Sequence, residues 1–542
     1  MPSRHRATIT RMRTTRERRR SVPLRGGLMI AVALITSLAA GTTVSAGAAV
    51  PSSHGWATAS EITALLEKER ADLKLSGLAV VVLSGGSVLF EGAFGDAAPG
   101  GPTVTLNTPF VLGSTSKQLT GLAIQQLIAQ GKLSLHDTVG TLLRHLGSES
   151  SPFADVTVAE LLSHTSGIST GAGTADVFDP TPAFASLGTE TRHLLMTAPS
   201  SMAGTSFEYS NGNYTLLGSI IEEITGQTFE TALQILVGRP LGLDATTSDL
   251  TAAQANGLAS GHYTWFGVID STTPGPRWPM GAPSAYTSST AADLTRLLKA
   301  ELGRPSGIDS AVFGADHAPL AAVDKYSRYA SGWYMRSFWE LHDDDENFDD
   351  PALPLIYEHD GDTTRETSYL AFSPDLGLGV IVLSNTGLGT DTARFSEFTY
   401  RLLHTIVGTT AAPHLVDPVI AAAPVIMIVL PLLQLAALIL LTVSFVRRRL
   451  GRIARVILRV VAALVTVVTV FVAFVAVPER TNQSLFNRVW WAGVPDLAVS
   501  TASSLVFAAA TIVFGAVALI QAQHRRRSLS VNDPADNASS NH

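Results

Sequence analysis

Apolar and polar positions follow three rhythms along this chain. Glu61 to Leu73 carries helical spacing. Leu78-Ala79-Val80-Val81-Val82-Leu83, then Ser84-Gly85-Gly86-Ser87 and Val88-Leu89-Phe90, predicts a two-stranded hairpin about a glycine turn. Leu119, Leu122, Ala123, Gln126, Leu127 and Gln130 then approximate one helical face, closed by Gly131. A helix there puts Ser114 on its first turn and Lys117 one turn further along. Helical and loop sequence follows to about residue 280, with a further helix over Ala291 to Leu302. Short apolar runs return at Gly332 to Met335, Leu355 to Tyr357, Tyr369 to Phe372 and Gly379 to Leu383, before a helix near Arg394 to Ile406. Strands at both ends with helices between predict an α+β fold, a sheet interrupted by a helical insertion.

The third rhythm is continuous. Residues 418–446, 456–477 and 497–521 each reach the ~20 apolar residues needed to cross a bilayer, which predicts three transmembrane helices and lipid as a partner. Arg447-Arg448-Arg449 and Arg525-Arg526-Arg527 flank them and belong in the cytoplasm, which leaves the region before Pro418 and the Trp490-Trp491 loop outside. At the other end, an arginine-rich segment, the apolar run Gly27 to Ala40 and small residues near Ala46 give residues 1–48 the layout of a signal peptide, or of an anchor if uncleaved. The expected organisation is therefore a signal peptide, a globular domain over 58–410, three spans and a disordered cytoplasmic tail over 522–542.

Composition narrows the chemistry. With 46% hydrophobic and 15% charged residues, the 542-residue chain leans towards a membrane protein. It has no cysteine, so disulfides, thiolate catalysis and Cys-based zinc sites are excluded. The net charge of -7, with arginines crowded at the termini, argues against nucleic acid as a partner. The acidic run Asp343 to Asp350 lacks the glycine turn and terminal Glu of an EF-hand loop and reads as a solvated loop.

Gly113-Ser114-Thr115-Ser116-Lys117 holds a hydroxyl beside an amine. Serine needs a base and an ammonium is none, so the pair is useful only where burial or a cation depresses the lysine pKa. Alone, S-x-x-K equally describes an N-cap serine with a solvated lysine. Phe207-Glu208-Tyr209-Ser210-Asn211 and His359-Asp360-Gly361 follow in order, and Leu161-Leu162-Ser163-His164-Thr165-Ser166-Gly167 reads as a helix end, with His164 structural.

With these motifs, from about Ser60 to Val407, the chain resembles the penicillin-recognising serine hydrolases. The nearest branch is that of class C β-lactamases, D-alanyl-D-alanine peptidases and related esterases. The resemblance implies a β-lactamase/DD-peptidase-like antiparallel sheet flanked by helices, an acyl-enzyme on Ser114, and no metal or cofactor. It implies that Lys117 and Tyr209 share the base role, each lowered in pKa by cationic neighbours, that Asn211 binds substrate and positions Lys117, and that the backbone N–H groups of Ser114 and Asp362 hold the oxyanion. Gly361 lets the strand approach closely. Where many relatives carry lysine in K-T-G, His359 is only partly cationic, which favours esters or peptides over a dedicated β-lactamase. Asp362 beside the oxyanion would oppose turnover unless Arg365 or His359 pairs it. The implied substrates are D-alanyl peptides, β-lactams or small esters; the alternative is a receptor of the same fold that acylates without turning over, protein partners unknown.

Overall fold

The computed structural model of the chain describes residues 55–173, 186–266, 269–271, 279–338, 354–388, 392–409, 418–447 and 495–531, together with Val460, Leu464 and Val467. The expected signal peptide (1–48) and the acidic run Asp343 to Asp350 lie outside these residues.

The chain opens with α1 (Ala59–Asp72), the hairpin of β1 (Gly77–Ser84) and β2 (Ser87–Gly95), and β3 (Phe110–Val111). A tight turn, Gly113–Thr115, leads into α2 (Ser116–Ala129). The helical part that follows contains α3 (Asn211–Thr225) and a small hairpin of β4 (His262–Trp265) and β5 (Ile269–Ser271). After β6 (Ser288–Ser289) come α4 (Ala291–Glu301) and α5 (Ser310–Asp316). The sheet resumes with β7 (Ala321–Ala322), β8 (Ser327–Tyr329), β9 (Tyr334–Ser337), β10 (Leu355–Asp362), β11 (Thr367–Ser373) and β12 (Leu378–Ser384), followed by the short β13 (Thr386–Gly387) and α6 (Thr392–Ile406). Among the described residues two long helices follow, α7 (Pro418–Arg447) and α8 (Pro495–Val531).

Local chemistry sets these boundaries. Thr58 and Glu61 cap α1 reciprocally, the Glu61 N–H donating to Thr58 Oγ1 at 3.3 Å and the Thr58 N–H to Glu61 Oε2 at 2.8 Å. Gly85 and Gly86, with φ of 57° and 77°, supply the left-handed pair that a two-residue hairpin loop requires. Gly332 has φ of 98°, so Gly332 and Trp333 belong to a turn and β9 starts only at Tyr334.

The main sheet has eight strands in the order β2-β1-β12-β11-β10-β9-β8-β7. Successive strand residues point to opposite faces, and both faces of its centre are covered. Ala79, Val81, Leu83, Leu370, Phe372, Ile381 and Leu383 join the core shared with α2, α3 and α4, whereas Leu78, Val80, Val82, Tyr369, Ala371, Val380 and Val382 pack under α1 and α6. The expected α+β architecture, sheet first, helical insertion, sheet again, is the one observed. Its consequence is that the start of α2, the start of α3 and the far end of β10 meet on one face.

Among the described residues two helices, not the three expected, are long and apolar enough to cross a membrane, over Val425–Val443 and Asp496–Ala518. Most of the stretch 456–477 lies outside the described residues. The tail also departs from expectation: α8 continues to Val531, so the segment read as disordered from residue 522 is helical over its first part, and 532–542 lies outside the described residues. The ends of the two helices pack together, Ser500 Oγ donating to the Met427 carbonyl at 2.7 Å.

Candidate active site

Ser114 sits in the turn Gly113–Thr115 that precedes α2, one step before the helix rather than within its first turn. The turn has little freedom. Gly113 has φ of 58°, and a Cβ there would lie 2.6 Å from the Asp362 nitrogen and 2.8 Å from the Gly361 carbonyl carbon. A Cβ on Gly361 would lie 2.0 Å from the Leu112 carbonyl oxygen. The turn carrying Ser114 and the end of β10 are therefore pressed together, backbone to backbone, the arrangement that an oxyanion hole built from Ser114 and Asp362 would require. Thr115 and Ser368 lock them: Ser368 Oγ donates to the Leu112 carbonyl at 2.5 Å, Thr115 Oγ1 donates to the same carbonyl at 2.8 Å, and the two hydroxyls lie 2.9 Å apart.

Lys117 is fully buried. Its Nζ lies 3.1 Å from Ser114 Oγ, 2.7 Å from Asn211 Oδ1 and 2.8 Å from the Ser284 carbonyl oxygen. Two of these partners accept only; the hydroxyl alone is able to donate. Nζ donates to both carbonyls and reaches the Ser114 hydroxyl; as a free amine it would keep its two N–H groups on the carbonyls and a lone pair for that hydroxyl. Burial pushes the Lys117 pKa well below its usual value, with Asp360 opposing the shift in part. Asn211 is placed as the first residue of α3, and Ser210 before it anchors to the Ser169 carbonyl at 2.9 Å.

The Tyr209 ring lies 4.8 Å from Lys117 Nζ, and its buried hydroxyl makes no hydrogen bond of ordinary geometry. Burial pushes its pKa well up, and the Ser114 hydroxyl, which favours the phenolate, offsets this only in part. This corrects the sequence expectation of a lowered phenol. An ammonium would help a phenolate, but a neutral lysine in a dry pocket does not, so desolvation wins. Burial thus favours the free amine of Lys117 and the protonated phenol of Tyr209.

His359 is buried too. Its Nδ1 lies 2.6 Å from the Asp360 carbonyl, which only accepts, so Nδ1 carries the proton and Nε2 accepts from the Tyr329 hydroxyl at 3.2 Å. Burial pushes its pKa down to about 4 while Asp360 opposes. The ring is neutral at pH 7, less cationic than the sequence alone implies. The ratio of KM values for a carboxylate-bearing ester and its uncharged amide analogue is therefore expected to stay flat between pH 8 and 5; steady-state kinetics across that range check it, and an inflection near the usual 6.5 of histidine would contradict it.

Asp362 Oδ1 is buried without a hydrogen-bond partner. Burial and the neighbouring carboxylates of Asp360 and Glu366 push its pKa well up. Neither expected partner neutralises it: the Arg365 guanidinium lies over the Tyr263 ring at 5.8 Å, with Nε and Nη1 unpaired, and His359 is neutral. The upward shift favours the protonated acid, which in that form would not repel negative charge developing nearby. Among the described residues Glu301, Asp316 and His317 lie close enough to share a cation, but His317 Nε2 already pairs with Glu301 at 2.6 Å and Asp316 accepts from Trp333 Nε1 at 3.1 Å.

With that geometry in view, the family model described as Beta-lactamase matches residues 62–403. The chain belongs to the Beta-lactamase family. Penicillin-binding protein 4 of Amycolatopsis lactamdurans is 30% identical over 358 residues, covering 62% of this chain and 88% of that one. Protein flp of Staphylococcus aureus (strain MW2) is 26% identical over 338 residues, covering 60% of this chain, and the chain spans 62% of that relative's length. Among solved structures, a class C β-lactamase from Rhodobacter sphaeroides superposes with a TM-score of 0.55 at 23% identity, covering 64% of this chain and 99% of that one. The octameric penicillin-binding protein homologue from Pyrococcus abyssi gives 0.54 at 22%, covering 67% and 80%.

For this Beta-lactamase family chain, two features of the site are not marked in the sequence. The Ser284 carbonyl comes from one wide turn, Ala282–Tyr286, that no periodicity marks. The Thr115 and Ser368 clasp joins residues 253 apart in sequence. His164 was read as structural, and it is: buried, with φ of 59°, it accepts the Ser210 N–H on Nδ1 at 3.2 Å and packs its ring 4.5 Å from that of Tyr209. It braces the phenol from behind. The segment Ser163-His164-Thr165-Ser166-Gly167 was the available signal.

Proposed function

We propose that this chain is a membrane-tethered serine hydrolase working through an acyl-enzyme on Ser114, with α7 and α8 as spans and the globular part outside. The observation that carries the reading is the Lys117 amine, 3.1 Å from Ser114 Oγ and with both other contacts made to carbonyl oxygens. Lys117 takes the hydroxyl proton as Ser114 attacks a substrate carbonyl. The backbone N–H groups of Ser114 and Asp362 receive the oxyanion. Tyr209, still a phenol, gives its proton to the leaving group as the carbonyl bond breaks, and Lys117 passes the proton taken from Ser114 to the phenolate, which restores both groups. Water then repeats the sequence on the acyl-enzyme.

Substrate choice follows from charge. Neutral His359 and exposed Asp360 offer no attraction to a carboxylate on the leaving side. Esters and peptides without one are the preferred substrates, ahead of D-alanyl peptides and β-lactams. Arginines beyond both helices support placing those ends in the cytoplasm.

The test uses the full chain in detergent. A chromogenic ester should be hydrolysed with steady turnover, and intact mass with peptide mapping should find a transient acyl adduct on Ser114. A single stoichiometric adduct without turnover would replace this reading with the receptor. No adduct and no rate above buffer would overturn it.

A further inference from the structure

The turn between β10 and β11 carries Asp362 at its start and is pinned inside by Thr363, whose N–H donates to the Glu366 carbonyl at 2.9 Å, whose Oγ1 accepts from the Arg365 N–H at 3.1 Å and the Glu366 N–H at 2.9 Å, and whose hydroxyl bonds the Glu366 carboxylate. From outside it is held by β4. The His262 N–H donates to the Arg365 carbonyl at 3.2 Å and to the Asn385 carbonyl at 2.8 Å. A Cβ on Gly261 would meet Arg365 Cβ at 2.6 Å, and one on Gly387 would meet the Arg365 nitrogen at 2.5 Å. The Arg365 guanidinium rests over Tyr263 at 5.8 Å.

β4 is held in turn by the first turn of α8. Tyr263, fully buried, donates its hydroxyl to Asp496 Oδ1 at 2.6 Å. The Phe266 N–H donates to Asp496 Oδ2 at 2.9 Å, and Leu497 N–H returns to Oδ1 at 2.9 Å. Asp496 itself is fully buried. Phe266 has φ of 53°, a left-handed conformation that is unfavourable for a bulky side chain and persists only where its surroundings impose it. Here the imposing group is a carboxylate on an apolar helix. Burying that carboxylate is unfavourable unless both oxygens are met by donors, and both are.

We infer that Asp496 is a positioning residue for the reaction, clamping the oxyanion strand by way of Tyr263, Phe266 and the Arg365 turn, so that the apolar helix α8 is part of the machinery rather than a passive tether. This rests on the hydrolase reading above. The strand end carrying the Asp362 N–H keeps its place against Gly113 because the next turn is fixed at its outer side.

The experiment compares full-length wild type with Asp496→Ala, Asp496→Asn and Tyr263→Phe in lipid vesicles, reading ester kinetics, melting temperature and amide hydrogen exchange at Phe266. In Asp496→Ala the Phe266 amide should exchange at least tenfold faster. kcat should fall five- to tenfold with KM little changed and melting within a few degrees of wild type. Asp496→Asn, which keeps an acceptor for Tyr263, should recover part of kcat, a rescue that a merely structural role would not produce. Unchanged exchange in Asp496→Ala would overturn the clamp; faster exchange with kcat within twofold would overturn its positioning role. Should Asp496→Ala not fold, Tyr263→Phe, which removes one hydroxyl, decides by the same readouts. A wild type that forms no Ser114 adduct removes the hydrolase reading and the positioning role together, while Phe266 exchange still reports the contact itself.

Discussion

Lys117→Met is expected to slow acylation of Ser114 by about 10³- to 10⁴-fold, measured as the pre-steady-state burst with an activated ester. Methionine fills the same volume without a lone pair. The cost to folding is separate: the Asn211 amide oxygen and the Ser284 carbonyl lose their donor, worth about 1–3 kcal/mol each where no water replaces it. Lys117→Arg should fail as badly although it restores donors, because guanidinium has no free base at any working pH. The pH profile carries the same signature. Burial holds Lys117 well below its usual pKa, which favours the free amine, and kcat/KM is expected to fall as the solution is made acid, through the protonation of Lys117. A Lys117→Met chain that acylates within tenfold of wild type would remove lysine from the base role.

The three motifs were legible because each is local. Ser114 and Lys117 are a turn apart in any helical reading, and Tyr209 with Asn211 is fixed by the start of α3. Their electrostatics were not legible, because burial is a property of several elements at once. Tyr209 was expected to be acidified by a neighbouring ammonium, yet the pocket that neutralises Lys117 leaves Tyr209 protonated for the same reason. Asp362 looked like a liability awaiting an arginine; Arg365 turns away to Tyr263, and burial with the neighbouring carboxylates shifts Asp362 towards its protonated form instead. The tail failed in another way. Residues beyond Ala518 are too polar for a span, but Gln, Ala and Arg are good helix formers, and a helix already begun upstream is cheap to extend.

Gly361→Ala is the second large effect. At this position the difficulty is contact and not backbone strain, since the new methyl would meet the Leu112 carbonyl oxygen at 2.0 Å and Ser368 Oγ at 2.2 Å. Neither neighbour yields easily: the Leu112 carbonyl already accepts from Thr115 and Ser368, and Ser368 lies inside the central sheet on β11. The strand must therefore move away from the nucleophile turn, and the Asp362 N–H moves with it. Losing one oxyanion donor costs about 10²- to 10³-fold in kcat, on the order of 3–4 kcal/mol of transition-state stabilisation, while overpacking adds about 1–3 kcal/mol of lost folding stability. The two are separable by experiment. Because Ser114 and Lys117 keep their mutual contact, a fluorophosphonate that brings its own reactive centre should still label Gly361→Ala, more slowly, whereas ester kcat collapses. If a folded Gly361→Ala chain retains ester kcat within threefold, the oxyanion is not held at the junction of Gly113 and Asp362, and the close approach of strand and turn serves packing alone.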